Sequence, residues 1–235
     1  MGLGTWNRAR GPLARKLTAL DELQPDVAIL CEAPTPPDAS DDVLWFPTGE
    51  GRSNLGIQVR AYGEYRLRAH ARVPNLPTCV NPVRVIGPAK FNLLAVWTWA
   101  APTYLSALAG GIEAYAGLFA EPTVVAGDFN GNPTADRPRQ RATWSNAFAR
   151  INELGSVSAY HHVEGVSYGD EVTATHHHRR DPNSRFHIDF CFVPKLWCTD
   201  NLRVKILGGS PWTSLSDHFP VVVDAPIGQG HVDDA

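Results

Sequence analysis

The chain has 235 residues, 43% of them apolar, which is enough to bury a large core within one domain. A formal charge of −3 excludes a protein that wraps nucleic acid through bulk positive charge and leaves room only for local basic patches. The four cysteines, Cys31, Cys79, Cys191 and Cys198, are too few and too irregularly spaced for a disulfide framework or a zinc cage, and no apolar run is long enough to span a bilayer.

Thr5-Trp6-Asn7 ends a first short strand, entered directly from Met1 without a signal-peptide pattern, and Trp6 stands where a myristoylation signal needs Ser or Thr. The expectation is a cytoplasmic monomer with no membrane partner. A helix follows from Pro12, with Leu13, Leu17 and Leu20 on one stripe, and Gln24-Pro25 stops it. Residues 26–31 form a continuous apolar strand that delivers Glu32 at its end. Residues 33–51 read as a Pro/Asp-rich loop containing Trp45 and Phe46. Residues 55–59, 65–73, 81–86 and 91–97 are then successive strands, with antiparallel pairing expected. Ser106 has the chemistry of an N-cap, opening a helix whose stripe is Leu108, Ile112, Tyr115 and Phe119.

A β-branched run at Thr123-Val124-Val125 then stops abruptly at Gly127-Asp128-Phe129-Asn130 and falls into Gly131-Asn132-Pro133. This pattern predicts a buried strand whose carboxyl end opens onto a loop. If strand geometry persists through Asn130, Asp128 and Asn130 share one face and Phe129 takes the other. A carboxylate there can hold a metal ion or orient water; an amide can bond an anion without adding charge. Residues 137–154 predict a helix with Trp144, Phe148 and Ile151 facing the core, ended by Gly155. Residues 156–178 are irregular and finish in His176-His177-His178-Arg179-Arg180. Residues 186–193 form a strand with Ile188, Phe190 and Phe192 on one face and His187, Asp189 and Cys191 on the other. Ser216-Asp217-His218-Phe219-Pro220 leads into a last strand at 221–223. No repeat or linker divides the chain: one domain over 1–227 precedes a short polar tail at 228–235.

Polar residues that end or interrupt apolar strands thus form an ordered set. The blocks are Thr5-Trp6-Asn7, Leu23-Gln24-Pro25-Asp26 through Cys31-Glu32, Gly127-Asp128-Phe129-Asn130, His187-Ile188-Asp189-Phe190 and Ser216-Asp217-His218 with Pro220. In this order they resemble the endonuclease/exonuclease/phosphatase superfamily, which includes deoxyribonuclease I-like and AP-endonuclease-like enzymes. The resemblance implies an α/β fold, a four-layer α/β/β/α sandwich of two packed mixed sheets with outer helices. It implies hydrolysis of a phosphate ester with Mg²⁺ or Mn²⁺, most simply by a nuclease acting on nucleic acid. A phosphatase or phosphodiesterase acting on a small-molecule or lipid ester, or a catalytically degenerate binding module, are the alternatives.

Carried over by position, Glu32 is the expected metal ligand, with Asn7 beside it and Asp217 as a further acidic neighbour. Asp128 is expected to orient or deprotonate water and Asn130 to bond the phosphate or that water. His218 is the phosphate-contacting imidazole, held by Asp189. The chemistry of the residues agrees. Mg²⁺ prefers one or two carboxylates plus water and substrate oxygens, and a His–Asp pair fixes the tautomer and favours the protonated ring. One departure stands out: relatives carry His or Tyr where this chain has Trp97, and an indole does not shuttle protons.

Other candidates are weaker. His176, His177 and His178 are adjacent and are expected to form a solvated or substrate-lining loop rather than converge on one ion. Ser216, Asp217 and His218 hold the letters of a serine-hydrolase triad but are contiguous, with no nucleophile elbow. Arg137, Arg139, Arg141, Arg179, Arg180 and Arg185 form either a phosphate-gripping rim or an ordinary solvated surface. Phe186 is a core residue or, by the same resemblance, an aromatic at a sugar pocket.

Overall fold

The computed structural model describes residues 1–9, 11–37, 40–48, 54–99 and 102–227; the predicted polar tail at 228–235 lies outside them. In chain order the first half contains β1 (Gly2–Asn7), α1 (Leu13–Asp21), β2 (Val27–Pro34), β3 (Val43–Pro47), β4 (Leu55–Ala61), β5 (Arg66–Ala69), β6 (Val80–Ile86), β7 (Phe91–Trp97) and α2 (Tyr104–Ala114). The second half contains β8 (Thr123–Asp128), α3 (Trp144–Glu153), β9 (Ser156–Ser158), α4 (Ala159–Glu164), β10 (His176–His177), β11 (Arg185–Phe186), β12 (Asp189–Pro194), β13 (Arg203–Ile206), α5 (Trp212–Leu215) and β14 (Val221–Asp224).

Side-chain alternation along the strands builds the layers. One six-stranded sheet has the order β13-β14-β1-β2-β4-β3, the other β5-β6-β7-β8-β12-β9. Alternate residues Leu3, Ile29, Val59, Leu93, Val124, Ala126, Cys191 and Val223 meet between the sheets. On the outer face of the second sheet, Leu94, Val96, Val125, Phe190 and Phe192 pack against Leu108 and Ile112 of α2 and Phe148 and Ile151 of α3. On the outer face of the first, Trp6, Ala28 and Leu30 pack against Leu20 of α1 and Trp212 and Leu215 of α5. The expected sandwich of two mixed sheets with outer helices is the fold that forms.

Several local expectations shift. Trp45 and Phe46 belong to a strand, not a loop: β3 pairs with β4, and Trp45 Nε1 donates to Ala33 O at 3.2 Å. Tertiary contacts there override the surrounding Pro/Asp composition. The cap of α2 is Thr103, whose hydroxyl accepts from Ser106 N at 3.1 Å while Ser106 Oγ accepts from Thr103 N, so Ser106 is the inner half of a capping box. Helix α3 starts only at Trp144, capped by Thr143. Upstream, Pro138 disfavours helix at Arg137, and Arg139 is left-handed at φ +67°. The predicted strand at 65–73 contracts to β5, and that at 186–193 divides into β11 and β12. The stretch at 156–178 is not wholly irregular, since it holds β9 and α4.

Candidate active site at the strand ends

Topology gathers the polar strand ends. β1 runs parallel to β2 and β7 parallel to β8, so Asn7, Glu32, Trp97 and Asp128 all arrive at carboxyl ends. β12 runs antiparallel to β8 with Asp189 directly opposite Asp128, which brings the amino end of β12 to the same rim. Asp128 and Asp189 are fully buried and His218 nearly so. Asp128, Asp189 and His218 each offer a ligand-type atom within 4.8 Å of the others.

Asp128 accepts three hydrogen bonds: from Asn7 Nδ2 at 2.8 Å, Asn130 Nδ2 at 3.0 Å and Asn130 N at 2.8 Å. The strand stops at Asp128, and Asn130 is left-handed at φ +52°, so the two do not share a strand face as expected. The left-handed turn folds the Asn130 amide back onto the carboxylate instead. Burial and the Asp189 carboxylate push the Asp128 carboxyl up to about 7, against the His218 charge and the N–H donors. Phe129 points away as predicted, into an aromatic cluster with Phe148, Phe190 and Phe192.

His218 Nδ1 pairs with Asp189 Oδ2 at 2.9 Å. Its backbone is fixed by Trp6 Nε1 on its carbonyl at 2.9 Å and by Ser216 Oγ accepting from its N–H at 3.0 Å. Burial alone would lower the imidazole, but the Asp189 carboxylate outweighs it and leaves the ring pushed up to about 9. Ser216 also donates to Asn7 O at 2.8 Å, so it is a strut of the site and no nucleophile.

Glu32 sits at a register shift in β2, left-handed at φ +55° and half-buried. Arg8 holds that backbone through Nε and Nη2 bonds to Glu32 O at 3.1 and 2.8 Å. Lys16 from α1 donates in turn to Arg8 O and Ala9 O. This buried basic bracket has no counterpart in the sequence expectations, because nothing in Arg8 or Lys16 alone signals that they point inward.

Asn7 bonds Glu32 Oε1 at a long 3.5 Å with its amide nitrogen, while its oxygen accepts from Ala9 N at 3.0 Å. Of the three residues expected around an ion, Asn7 therefore turns a donor to the carboxylates and links Glu32 to Asp128. Asp217 lies with the imidazoles: its Oδ2 is 3.9 Å from His176 Nε2. The neighbouring His176 imidazole, with His218 behind it, holds Asp217 at about 2. Glu32 offers hard oxygen ligands beside Asn7, while the carboxylates of Asp189, Asp128 and Asp217 surround the strongly held His218 imidazolium. That donor set fits a divalent oxygen-preferring cation at Glu32.

The flanks divide. Trp97 is 3% exposed, packed in the inter-sheet core edge-on to Trp99. Phe186 is 48% exposed, so the core expectation for it fails. Arg137, Arg139, Arg141, Arg179, Arg180 and Arg185 are all exposed; Arg180 donates to Thr213 O at 3.0 Å and Ser214 O at 3.4 Å, and Arg185 Nε donates to Pro182 O at 2.6 Å. His176, His177 and His178 do not behave alike: His176 is buried in β10 and lies flat against His218, and His178 is exposed.

Comparison with solved structures gives the same architecture. An AP endonuclease from Archaeoglobus fulgidus superposes with TM-score 0.68 at 15% identity over 97% of this chain and 100% of that one. The 3′–5′ exonuclease from Neisseria meningitidis gives 0.63 at 16% identity over 96% and 99%. The human Nocturnin catalytic domain gives 0.62 at 17% over 96% and 92%. No sequence match to a curated protein was found. The model of the Endonuclease/Exonuclease/phosphatase family matches residues 5–218, from the first strand to the His218 imidazole. The chain therefore belongs to the endonuclease/exonuclease/phosphatase family.

Proposed function

We propose that the protein is a divalent-metal-dependent phosphoester hydrolase whose substrate is nucleic acid. The observation that carries this reading is the pairing, at one rim, of a buried carboxylate near neutrality with an imidazole that keeps its proton. Asp128, with Asn130 against it, accepts the proton of an attacking water. His218, held by Asp189, donates to a phosphate oxygen as charge gathers there in the transition state. Glu32, steadied by Arg8, would hold Mg²⁺ or Mn²⁺, and Asn7 ties that ligand to Asp128; the bound ion supplies positive charge to the phosphate oxygens.

Nucleic acid is favoured over a small ester by exposed Arg179, Arg185 and Phe186 on the segment that carries His176 and pairs with it. Two of the similar structures are also nucleases by name. The reading includes a cytoplasmic monomer, consistent with four free thiols and with the absence, among the described residues, of any helix long and apolar enough to cross a membrane.

The test is a hydrolysis panel of DNA, abasic DNA, RNA and small phosphate esters with Mg²⁺, Mn²⁺ or EDTA. Glu32→Ala is expected to abolish metal-dependent turnover while the circular-dichroism melt stays that of a folded protein. Unchanged hydrolysis in excess EDTA would sink the metal assignment. Cleavage confined to small esters would move the substrate, and no hydrolysis of any member would leave a binding module.

A further inference from the structure

Hydrolysis of a phosphate ester needs water activated, phosphate charge stabilised and the departing oxygen supplied with a proton. Asp128 serves the first and His218 the second, since Asn130 spends both amide hydrogens on Asp128 and Thr98 O. For the third, the residue at the end of β7 is no help, since Trp97 is buried in the core. The structure brings another imidazole to the rim from β10. His176 forms an isolated antiparallel bridge with His218. The bridge is fixed on both sides by His177 N donating to Asp217 O at 2.8 Å and Phe219 N donating to Thr175 O at 2.7 Å. Directly opposite residues put their side chains on the same face. The two rings accordingly stack, with centroids 4.1 Å apart and planes 30° from parallel.

The outer face of His176 looks toward exposed Phe186, 6.0 Å away centroid to centroid. The residue is 9% exposed, and its Nδ1 is buried without a hydrogen-bond partner among the described residues. Its Nε2 stands 3.9 Å from Asp217 Oδ2, too far for a hydrogen bond. A transition-metal cage does not explain the trio of His176, Asp217 and His218, although one ligand-type atom from each falls within 4.8 Å of the others. Stacked rings aim their in-plane lone pairs side by side, not at one point.

We infer that His176 is a second imidazole of the reaction, contacting the oxygen that leaves phosphorus. This rests on the hydrolase reading above. Water oxygen bonds phosphorus and its proton passes to Asp128; the bond from phosphorus to the leaving oxygen breaks, keeping its electron pair on that oxygen. His176 Nε2 gives that oxygen its proton, and solvent restores both groups afterwards.

The test compares two diesters of thymidine monophosphate in Mg²⁺: the dithymidine dinucleotide, whose leaving oxygen is an alkoxide, and the para-nitrophenyl ester, whose leaving oxygen needs no proton. His176→Phe keeps a flat ring against His218 and removes both nitrogens. His176→Gln serves if the phenylalanine variant fails to fold, as judged by its melt. A general acid is worth roughly 10²–10⁴-fold. The ratio of kcat/KM for the aryl over the alkyl ester is therefore expected to rise by at least about tenfold in the variant. An unchanged ratio, whether or not both rates fall, overturns the assignment and makes His176 a support for His218. Wild-type protein that cleaves neither ester, and no member of the wider panel, in Mg²⁺ or Mn²⁺ removes the hydrolase reading and this assignment together. If another panel member is cleaved, the same alkyl-against-aryl comparison is made on esters of that substrate, and an unchanged ratio there overturns the assignment alone.

Discussion

At the scale of single residues, the two central groups set stability and chemistry against each other. His218 goes from an ordinary value of 6.5 to about 9 in the fold, so the folded protein binds that proton more tightly. Its contribution to stability is complete below about 6.5 and is lost as pH rises to about 9. Asp128, raised from 3.8 to about 7, has the same sign and loses its contribution between those values. Both groups thus make the metal-free protein weaker toward alkaline pH. The proposed reaction asks for the opposite at one of them, with Asp128 ionised and His218 protonated. In the metal-free protein that state lies between about 7 and 9, and because the groups interact, the limbs belong to the pair. The expected outcome is a bell-shaped kcat/KM whose acid limb moves down when a divalent ion adds positive charge beside Asp128. In urea titrations with EDTA, the stability advantage of wild type over His218→Gln is expected to shrink between pH 6.5 and 9. An advantage that grew over that range would mean the ring is neutral in the fold. The convergence of Asp128, Asp189 and His218 was legible in the ordered set of polar residues around the strand ends and in the family resemblance that set carries, not in any one of them alone. The partners of Asp217 and His176 were not, since they depend on a bridge between two segments remote in sequence.

At the scale of elements, the strands bearing the site read well because their apolar runs are long and sharply ended. Edge strand β3 and the start of α3 read poorly, being decided by a tryptophan side-chain bond and a left-handed arginine. The Gly127-Asp128 step adds something sequence hinted at only through a glycine. Gly127 has φ +147°, and a Cβ there would lie 1.8 Å from Val96 O on the parallel neighbour β7. This close approach sets the height at which Asp128 leaves the sheet. Gly127→Ala is expected to cost more than about 3 kcal/mol, beyond the usual range for one substitution, because backbone on both strands must move. Gly110 in α2 is the contrast, with nothing among the described residues within 4 Å of its added Cβ. Gly110→Ala should stabilise by about 0.5–1 kcal/mol through helix propensity. Chemical denaturation of both variants checks the pair, and equal effects would mean that the β7–β8 approach is not tight.

At the scale of the whole molecule, two sheets present their ends to one rim while the net charge is −3. Long-range attraction to a polyanion therefore has to come from how charge is arranged, not from its total. The arginines read as a single rim in the sequence fall into two groups in the fold. Arg180 ties the loop after β10 to the carbonyls ending α5, so Arg180→Ala should act on stability. Arg179 is exposed beside it, on a backbone held left-handed at φ +54°. Arg185 is likewise exposed next to Phe186. If these side chains meet phosphates, each contact releases counterions, and affinity falls steeply with salt. KM for DNA or RNA is then expected to climb with ionic strength at fixed Mg²⁺. Arg179→Ala should weaken binding alike across sequences and reduce the logarithmic salt slope by about one unit. The same substitution should leave KM for the para-nitrophenyl ester nearly unchanged, because that substrate is too short to reach beyond the rim. A salt-insensitive KM for the polymers would reverse the preference. The exposed arginines would then be ordinary solvated surface, and the site would belong to a small phosphate ester gripped only by His218 and the ion at Glu32.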